Sequence, residues 1–429
     1  MCQTKNARNN FVKHLLHSLT REYNKRQKIK NRFKMKKVKY YMSLKVVLGL
    51  FLSVMLLTAG CADKPKSTSD GPTEQNILAE FAIAKGGGPI LLPVTFKGKE
   101  YLFLLDTGCS HMVFDTSFKH ELGDAKRIER ALTSGSPIMA EVFDAPEAFL
   151  GPLNIQDCGE VTCIDLEMAS SVLGRRINGF IGMNFLRKYI VQIDFDKGSL
   201  SFLQPPQKQN SRWGNELSIS YNPLGIPQIT ANILDGIKVD FVIDTAGNST
   251  GGLNSNIFKQ ILSEKEIKTS EILLATASGV IRSREARISN LSVESFEYQD
   301  LIFGEGNWSY LGLSFLSRHI VTFDFPNSRM YLKKGKEFKK IDETDMSGLH
   351  LLRISDKTTV YSVDEGSPAQ KAGIRANDII LKVGNKDANT YDMWELRRLL
   401  MSGDKHKIMM TTKRGDDVKA LSFLLKKKI

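Results

Sequence analysis

The chain has few cysteines and few histidines for its length, which limits the chemistry open to it. Of 429 residues only five are Cys and seven are His, and the histidines show no spacing typical of a metal site. No glycine-rich phosphate-binding loop follows a predicted strand. We therefore expect neither a metal nor another cofactor.

The chain also lacks an excess of positive charge outside its first 60 residues, although its formal net charge is +13. Those 60 residues hold 14 of the 60 Lys+Arg and one of the 47 Asp+Glu, Glu22, so the remainder carries 46 of each. A nucleic-acid-binding domain carries its positive charge on its own folded surface. We therefore expect no nucleic-acid partner.

The apolar run near the N terminus is too short to cross a membrane. Residues 46–59 are 14 uncharged, mostly apolar residues, whereas a spanning helix needs about 20. The run follows a basic segment and ends in small residues before Cys61, which is typical of a secretory signal. It resembles the lipobox of bacterial lipoproteins, which implies a signal peptide at 42–60, lipidation of Cys61 and an anchor in the membrane. An ordinary secretory signal is the alternative.

The segments on either side of this signal have distinct compositions. The basic residues 1–41 have no role in such a signal, and Met35 or Met42 is a candidate for the true start. Residues 61–79 are rich in Pro, Ser, Asp and Lys without apolar periodicity, which predicts a flexible tether. We expect the folded part to stand off the bacterial cell envelope, in the periplasm or facing the surface.

Three cysteines remain after Cys2 and Cys61 are set aside, so at least one is unpaired. Cys158 and Cys163 could form a disulfide across a turn, but buried free thiols are the favoured interpretation. Cys109 is followed by Ser110 and His111, which we reject as a nucleophile–base pair because neighbours on a strand point to opposite faces.

From residue 80 onward the apolar residues recur mostly with a period of two, broken by Gly, Asn and Asp, which predicts β strands. One strand ends at Asp106 and a second, very similar strand ends at Asp244, 138 residues later. Gly98 and Gly236 lie eight residues before these aspartates.

A second stretch also occurs twice. Residues 179–203 align without gaps on residues 309–333, with seven identical positions. A duplicated unit of about 130 residues is the simplest account. It predicts two β lobes, at residues 80–210 and 211–340.

The paired aspartates suggest acid–base chemistry. Two carboxylates about 3 Å apart cannot both ionise cheaply, so they share one proton. The ionised group takes a proton from water, and the protonated group donates to an amide carbonyl. Thr107 and Thr245 can hydrogen-bond across the pseudo-twofold axis, and Gly108 lets the backbone approach a carboxylate closely.

Residues 103–110, FLLDTGCS, with residues 178–186, NGFIGMNFL, resemble the bacterial retropepsin-like aspartic proteases, relatives of the retroviral proteases and pepsin. Both motifs occur twice, so the resemblance covers about residues 88–335. It implies a mainly β fold in which two retropepsin-like β-barrel lobes form a pepsin-like pseudo-dimer. The cleft between the lobes would take polypeptide.

The same resemblance implies roles for individual residues. Asp106 and Asp244 would be the catalytic pair of an aspartic endopeptidase, and the strands that reach Gly182 and Gly312 would thread through the catalytic loops. Ala246 stands where the family has Gly. Its methyl group could be tolerated or could push the aspartates apart.

The flap is uncertain. Candidate hairpins lie at residues 132–142 and 274–288, and neither has the flap tyrosine of pepsins. A catalytically inactive peptide-binding lipoprotein is therefore the alternative to the protease. In a further alternative, only one of the two aspartates acts and the other is structural.

Residues 341–429 resemble a PDZ domain of the protease-associated kind, a β sandwich with two helices. The matching motifs are the run from Gly366 to Ala369, the Ala372–Ile374 segment with its helix-ending Gly373, and residues 378–381. Such domains bind a peptide as an added strand beside a helix. The resemblance implies that a peptide or protein C terminus meets a loop whose residues are Gly348, Leu349, His350 and Leu351.

Overall fold

The structure is a computed structural model that describes residues 77–205, 211–234, 236–276 and 278–429. All of these residues fall in one compact unit. The predicted extension 1–41, the signal peptide 42–60, Cys61 and most of the tether lie outside the described residues and stay predictions. Residues 77–79, predicted as the end of the tether, already belong to a strand.

Residues 77–205 form a β lobe, here lobe 1. Its strands are β1 (Ile77–Ala82), β2 (Leu91–Phe96), β3 (Lys99–Leu105), β4 (Met112–Asp115), β5 (Arg127–Ala131), β6 (Ile138–Asp144), β7 (Ala148–Leu150), β8 (Leu153–Asn154), β9 (Glu160–Ile164), β10 (Gly179–Ile181), β11 (Ile190–Asp194) and β12 (Ser199–Leu203). Its helices are α1 (Lys119–Leu122), α2 (Glu167–Leu173) and α3 (Met183–Leu186).

Residues 211–334 form a second β lobe, lobe 2. Its strands are β13 (Asn215–Ser218), β14 (Ser220–Tyr221), β15 (Pro227–Ile233), β16 (Ile237–Ile243), β17 (Gly251–Asn254), β18 (Thr269–Thr276), β19 (Gly279–Val293), β20 (Phe296–Gly306), β21 (Tyr310–Leu311), β22 (His319–Asp324) and β23 (Arg329–Lys334). Its helices are α4 (Ser255–Glu264) and α5 (Leu313–Leu316).

The C-terminal domain begins its sheet at residue 349. Its strands are β24 (Leu349–Ile354), β25 (Lys357–Val363), β26 (Ile379–Val383), β27 (Lys386–Asp387), β28 (Lys407–Arg414) and β29 (Asp417–Leu424). Its helices are α6 (Pro368–Lys371) and α7 (Met393–Leu400). In the part of the chain that the structure describes, no helix combines the length and apolarity required to span a membrane.

The two lobes have similar sheets because the same local patterns recur in each. The sheet of lobe 1 runs β5-β6-β9-β4-β10-β3-β2-β7-β8, and that of lobe 2 runs β14-β15-β16-β21-β17-β20-β19-β18. A tight turn at Lys97 and Gly98, both with positive φ, joins β2 to β3, as expected of a two-residue hairpin. In each lobe a short strand, β10 or β21, lies parallel to the strand that ends at the aspartate.

A third sheet joins the lobes, in the order β1-β12-β11-β22-β23-β13. Its central pair is β11 and β22, which are antiparallel, with Gln192 opposite Thr322 and hydrogen-bonded to it at 2.9 Å. These two residues are 130 positions apart, which is the offset of the repeated stretch in the sequence. A local twofold axis therefore passes between them.

The C-terminal domain has its own apolar core beneath the sheet β24-β25-β26-β28-β29. Gly373 has φ +92° after α6, and Asn377 has φ +69°, so both take the left-handed conformation that their residue types tolerate.

The cysteines of the described residues are free, at positions 109, 158 and 163. The disulfide alternative for Cys158 and Cys163 is therefore wrong, and the expectation of free thiols is confirmed. Burial raises the pKa of Cys158 to about 11 and that of Cys163 to about 12, so both are uncharged thiols at neutral pH.

Candidate active site

Each candidate aspartate follows the last residue of a buried strand. Phe103 and Leu105 of β3 are buried in the core of lobe 1, and the N–H of Asp106 donates to the carbonyl of Ile181 at 3.1 Å. In lobe 2 the N–H of Asp244 donates to the carbonyl of Leu311 at 3.0 Å. Both aspartates are thus attached by the backbone to the parallel strand beside them.

Two threonines bind the lobes together directly behind the aspartates. The N–H of Thr107 donates to Thr245 Oγ1, and the N–H of Thr245 donates to Thr107 Oγ1, each at 3.1 Å. The hydroxyl of Thr107 donates to the carbonyl of Ile243 at 2.6 Å, and that of Thr245 donates to the carbonyl of Leu105 at 2.9 Å. Each threonine therefore ties its own loop to the end of the opposite strand, and neither is exposed by more than 1%.

The two carboxylates meet around Gly108. A Cβ atom at Gly108 would lie 2.9 Å from Cγ of Asp244 and 3.2 Å from Oδ1 of Asp106. Only glycine leaves room for both carboxylates here. The structure therefore brings the two predicted site residues together across the lobe boundary.

Backbone N–H groups hold each carboxylate in place. Asp106 Oδ1 accepts from the N–H of Gly108 at 2.9 Å, and Asp244 Oδ1 accepts from the N–H groups of Ala246 and Gly247 at 2.9 and 3.0 Å. Ala246 thus has the same role in the loop as Gly108. Its side chain packs against an apolar cluster that also contacts Cys109, so the methyl group is accommodated.

Burial raises the pKa of both carboxyl groups. The pKa of Asp106 lies well above its usual value, first because of burial and second because of the nearby charge of Asp244. The pKa of Asp244 is also raised by burial, and the N–H groups of Ala246 and Gly247 partly oppose the rise. Both carboxyl groups are therefore harder to ionise than an exposed aspartate, and two such groups side by side cannot both ionise cheaply.

Gly182 and Gly312 allow the second repeated strand to pass through each aspartate loop. A Cβ at Gly182 would lie 2.0 Å from the carbonyl oxygen of His111, and one at Gly312 would lie 2.4 Å from that of Ser249. The next residue in each lobe donates its N–H to the loop, to Cys109 O in lobe 1 and to Gly247 O in lobe 2.

Tyr310 is a residue of the site that sequence reasoning did not single out. Its hydroxyl lies 2.9 Å from Ser249 Oγ, and burial raises its pKa to about 12. Its ring fills the space beside Gly247 and Gly252, where Cβ atoms would lie 2.9 and 2.4 Å from ring carbons. The repeat aligns Tyr310 with Phe180, and this shared aromatic position is the signal that could have identified it.

The side chains of Ser110 and His111 lie close together, which differs from our prediction from the sequence. Ser110 Oγ lies 2.9 Å from Nδ1 of His111, although we expected them on opposite faces of a strand. Both residues precede β4 and lie in a bend of the chain, where the alternation of a strand does not apply.

The two candidate flap hairpins meet at their tips. The lobe 1 hairpin is β5–β6 and the lobe 2 hairpin is β18–β19. Ser278 Oγ accepts from the N–H of Ser136 at 2.8 Å, and Asn307 Nδ2 donates to the carbonyls of Ser134 and Gly135 at 3.1 Å. Ala131, Ile138 and Ala140 of the lobe 1 hairpin share an apolar cluster with Cys109 and Ala246. The hairpins therefore form a closed lid beside the aspartate loops.

The predicted PDZ binding loop differs from expectation. Leu349, His350 and Leu351 lie in β24, with Leu349 opposite Val363, because this segment pairs with β25 rather than forming a loop. His350 Nε2 lies 2.6 Å from Asp364 Oδ1. Its ring therefore already has a hydrogen-bond partner within the domain. A role for His350 in ligand recognition stays a prediction.

Backbone donors at the start of this strand already have partners. The N–H of Gly348 donates to Asp345 Oδ1 at 2.7 Å, and the N–H of Leu349 donates to Ser347 Oγ at 3.0 Å. A C-terminal carboxylate would have to replace these contacts. Peptide binding by Gly348 to Leu351 stays a prediction.

Two family models match parts of this chain. An aspartyl protease model matches residues 92–185, and a PDZ domain model matches residues 359–414. The chain therefore contains a domain of the retropepsin-like aspartyl protease type and a PDZ domain, within a mainly β fold. These predictions from the sequence are confirmed.

Two solved structures are similar to parts of the chain. One is the photosystem II D1 C-terminal processing protease, with 21% identity and a TM-score of 0.18, covering 19% of this chain and 23% of that one. The chain thus spans about a quarter of that protein. The other is a retropepsin-like aspartic protease from Rickettsia conorii, with 23% identity and a TM-score of 0.23, covering 28% of this chain and 89% of that one. No curated protein matches.

The buried threonine pair gives a prediction about stability. Thr107→Val removes a hydroxyl that bonds Thr245 and the carbonyl of Ile243, so two buried groups lose their partner, at a cost of about 3 kcal/mol. Thr107→Ser keeps the hydroxyl and loses only a buried methyl group, about 1 kcal/mol. Urea unfolding followed by tryptophan fluorescence measures both. Equal stability of the two variants would show that the hydroxyl contacts contribute nothing.

Proposed function

We propose that the chain is an aspartic endopeptidase that cleaves extended polypeptides with the Asp106–Asp244 pair. The observation that carries the proposal is the crossed threonine contact, which brings both half-buried carboxylates around Gly108. The ionised carboxyl group of the pair takes a proton from the attacking water, and the protonated one donates its proton to the amide carbonyl oxygen. Gly182 and Gly312 support the geometry because they admit the second strand into each loop.

We also propose that the two lobes descend from one duplicated unit. The pairing of Gln192 with Thr322 at the offset of the sequence repeat supports this origin. A pseudo-twofold arrangement explains why one carboxylate comes from each lobe. It also explains why each aspartate loop has a threonine that hydrogen-bonds to the loop of the other lobe.

A peptide-binding protein without cleavage is the second candidate. The PDZ domain favours it, because such domains hold a peptide as an added strand without cleaving it. Ala246 does not favour it, since its N–H still holds Asp244.

Substitution of each aspartate separates these candidates. We expect Asp106→Asn and Asp244→Asn each to lower kcat/KM for fluorescein-labelled casein at least about a hundred-fold, the usual contribution of a positioned acid or base. Asp240→Asn is the matched control, since Asp240 is exposed on β16, the strand that leads to Asp244, and accepts a hydrogen bond from the hydroxyl of Thr230. An inactive wild type between pH 3 and pH 8 would support the binding protein, and the loss of activity in only one variant would support a single acting aspartate.

The raised pKa values predict how activity and stability depend on pH. Cleavage needs one proton on the pair, so we expect a bell-shaped profile. Its alkaline limb, where the pair loses that proton, should lie well above the ordinary carboxyl pKa of about 3.9. A carboxyl whose pKa is raised by folding stabilises the protein below its unfolded pKa, and that stability is lost as pH rises through the folded pKa. Asp106→Asn should lessen this decline without removing the part due to Asp244, whose pKa burial also raises, as thermal unfolding at a series of pH values will test.

Membrane attachment through Cys61 is proposed from the sequence, on the short apolar run that ends at small residues before this cysteine. It would locate the protease in the bacterial cell envelope. We expect an alkyne-bearing palmitate analogue to label the wild type in a bacterial host, and Cys61→Ala to remove the label and release the chain from the membrane fraction. Equal labelling of both proteins would contradict a lipid anchor.

A further inference from the structure

The peptide groove of the PDZ domain is defined by strand β24 and helix α7. Strand β24 pairs with β25 on one side, and its other edge has no strand partner among the described residues. The side chain of Arg397 on α7 donates to the carbonyl of Leu351 on β24 at 3.1 Å. A PDZ ligand adds as a strand between such a strand and such a helix. Arg397 therefore occupies the Leu351 carbonyl, a hydrogen-bond acceptor that a ligand strand would need.

Helix α2 of lobe 1 lies in this groove. It packs against β24 and also contacts α7, so it contacts both elements that line the groove. The helix ends at Gly174, with φ +74°, where a Cβ would lie 2.3 Å from Cγ of Met393. The next residue, Arg175, forms an ion pair with Asp392 at 2.5 Å, and Asp392 caps the N terminus of α7 by accepting from the N–H of Trp394.

The burial of α2 is consistent with this position. Only Glu167 at its start is exposed, residues 168–172 are half-buried, and Leu173 is buried. A surface helix of an ordinary domain keeps one polar face in water, whereas every residue of α2 except Glu167 is at least partly covered. The small side chains of Ala169, Ser170 and Ser171 let neighbouring elements approach closely.

Helix α2 also contacts the lid. It packs against β18, the first strand of the lobe 2 hairpin, and the tip of that hairpin bonds the lobe 1 hairpin through Ser278. One short helix therefore contacts the peptide groove on one side and the lid on the other.

We propose that α2 is the resident occupant of the PDZ groove, and that an internal extended polypeptide segment displaces it and so loosens the lid. An internal segment fits better than a C terminus, because Asp345 and Ser347 already accept the N–H groups of Gly348 and Leu349. A ligand strand would lie about 4.8 Å from β24, in space that α2 now fills. Binding and α2 docking are thus mutually exclusive. The consequence for cleavage rests on the proposed protease function.

The ion pair between Arg175 and Asp392 allows a test in the full chain. Asp392→Asn removes the charge and keeps a side chain that caps helices equally well, and Arg175→Glu replaces attraction by repulsion. Glu216→Gln, which breaks an exposed ion pair with Arg329 in the central sheet, is the control. We expect amide hydrogen exchange to rise up to about five-fold in α2, in β24 and in the lobe 2 hairpin for both variants, and to stay unchanged in the control.

Displacement is tested with reduced, carboxymethylated α-lactalbumin, an unfolded polypeptide, added to the uncleaving Asp106→Asn protein. We expect faster exchange in α2 and the lobe 2 hairpin and slower exchange in β24. Protection of all three segments would overturn displacement, and faster exchange in α2 alone would overturn its coupling to the lid.

Cleavage of fluorescein-labelled casein provides the final readout. Arg175→Glu and Asp392→Asn should each raise kcat/KM by about the factor by which they raise amide hydrogen exchange in the lobe 2 hairpin. Unchanged kcat/KM in an active enzyme would overturn control of the lid by α2. If the wild type itself cleaves nothing, the protease function fails, while the exchange results still decide whether α2 occupies the groove.

Discussion

The crossed hydrogen bonds between Thr107 and Thr245 are the contact on which the rest of the site depends. Each hydroxyl donates to the strand end of the other lobe and accepts an N–H from the other threonine. Because both residues are buried, no water can replace these bonds at low cost. The contact therefore fixes the relative position of two loops that come from distant parts of the chain, and the carboxylates of Asp106 and Asp244 follow from it.

Once the carboxylates are held together, burial decides their charge. We expect the pair to retain a single proton, because two negative charges held close together in a partly buried site are unfavourable. Backbone N–H groups of the aspartate loops hydrogen-bond both carboxylates, from Gly108 to Asp106 and from Ala246 and Gly247 to Asp244, and so partly oppose the rise in both pKa values. Tyr310 of lobe 2 aligns with Phe180 of lobe 1, so the two loops share their backbone contacts but differ in the side chains beside them.

The lid and the PDZ domain are linked by shared contacts rather than by a flexible connection. Helix α2 packs on both β24 and the lobe 2 hairpin. The hairpin tips bond each other through Ser278, and Asn307, which follows β20, bonds the lobe 1 tip. Packed interfaces can respond to binding by shifting between discrete arrangements. The proposed displacement of α2 is one such shift, and its energy would come from strand pairing along β24.

The sequence by itself determined the mainly β character, the strands that end at Asp106 and Asp244, and the PDZ domain, because periodicity and short motifs are properties of local segments. It did not reveal the role of Tyr310 or the covered helix α2, and it misassigned Leu349 to a loop. Those features depend on which distant segments meet: β25 pairs with Leu349, and the groove of a domain 170 residues downstream covers α2. Only the tertiary structure decides such contacts, since burial and pairing are set by neighbours in space that no local pattern encodes.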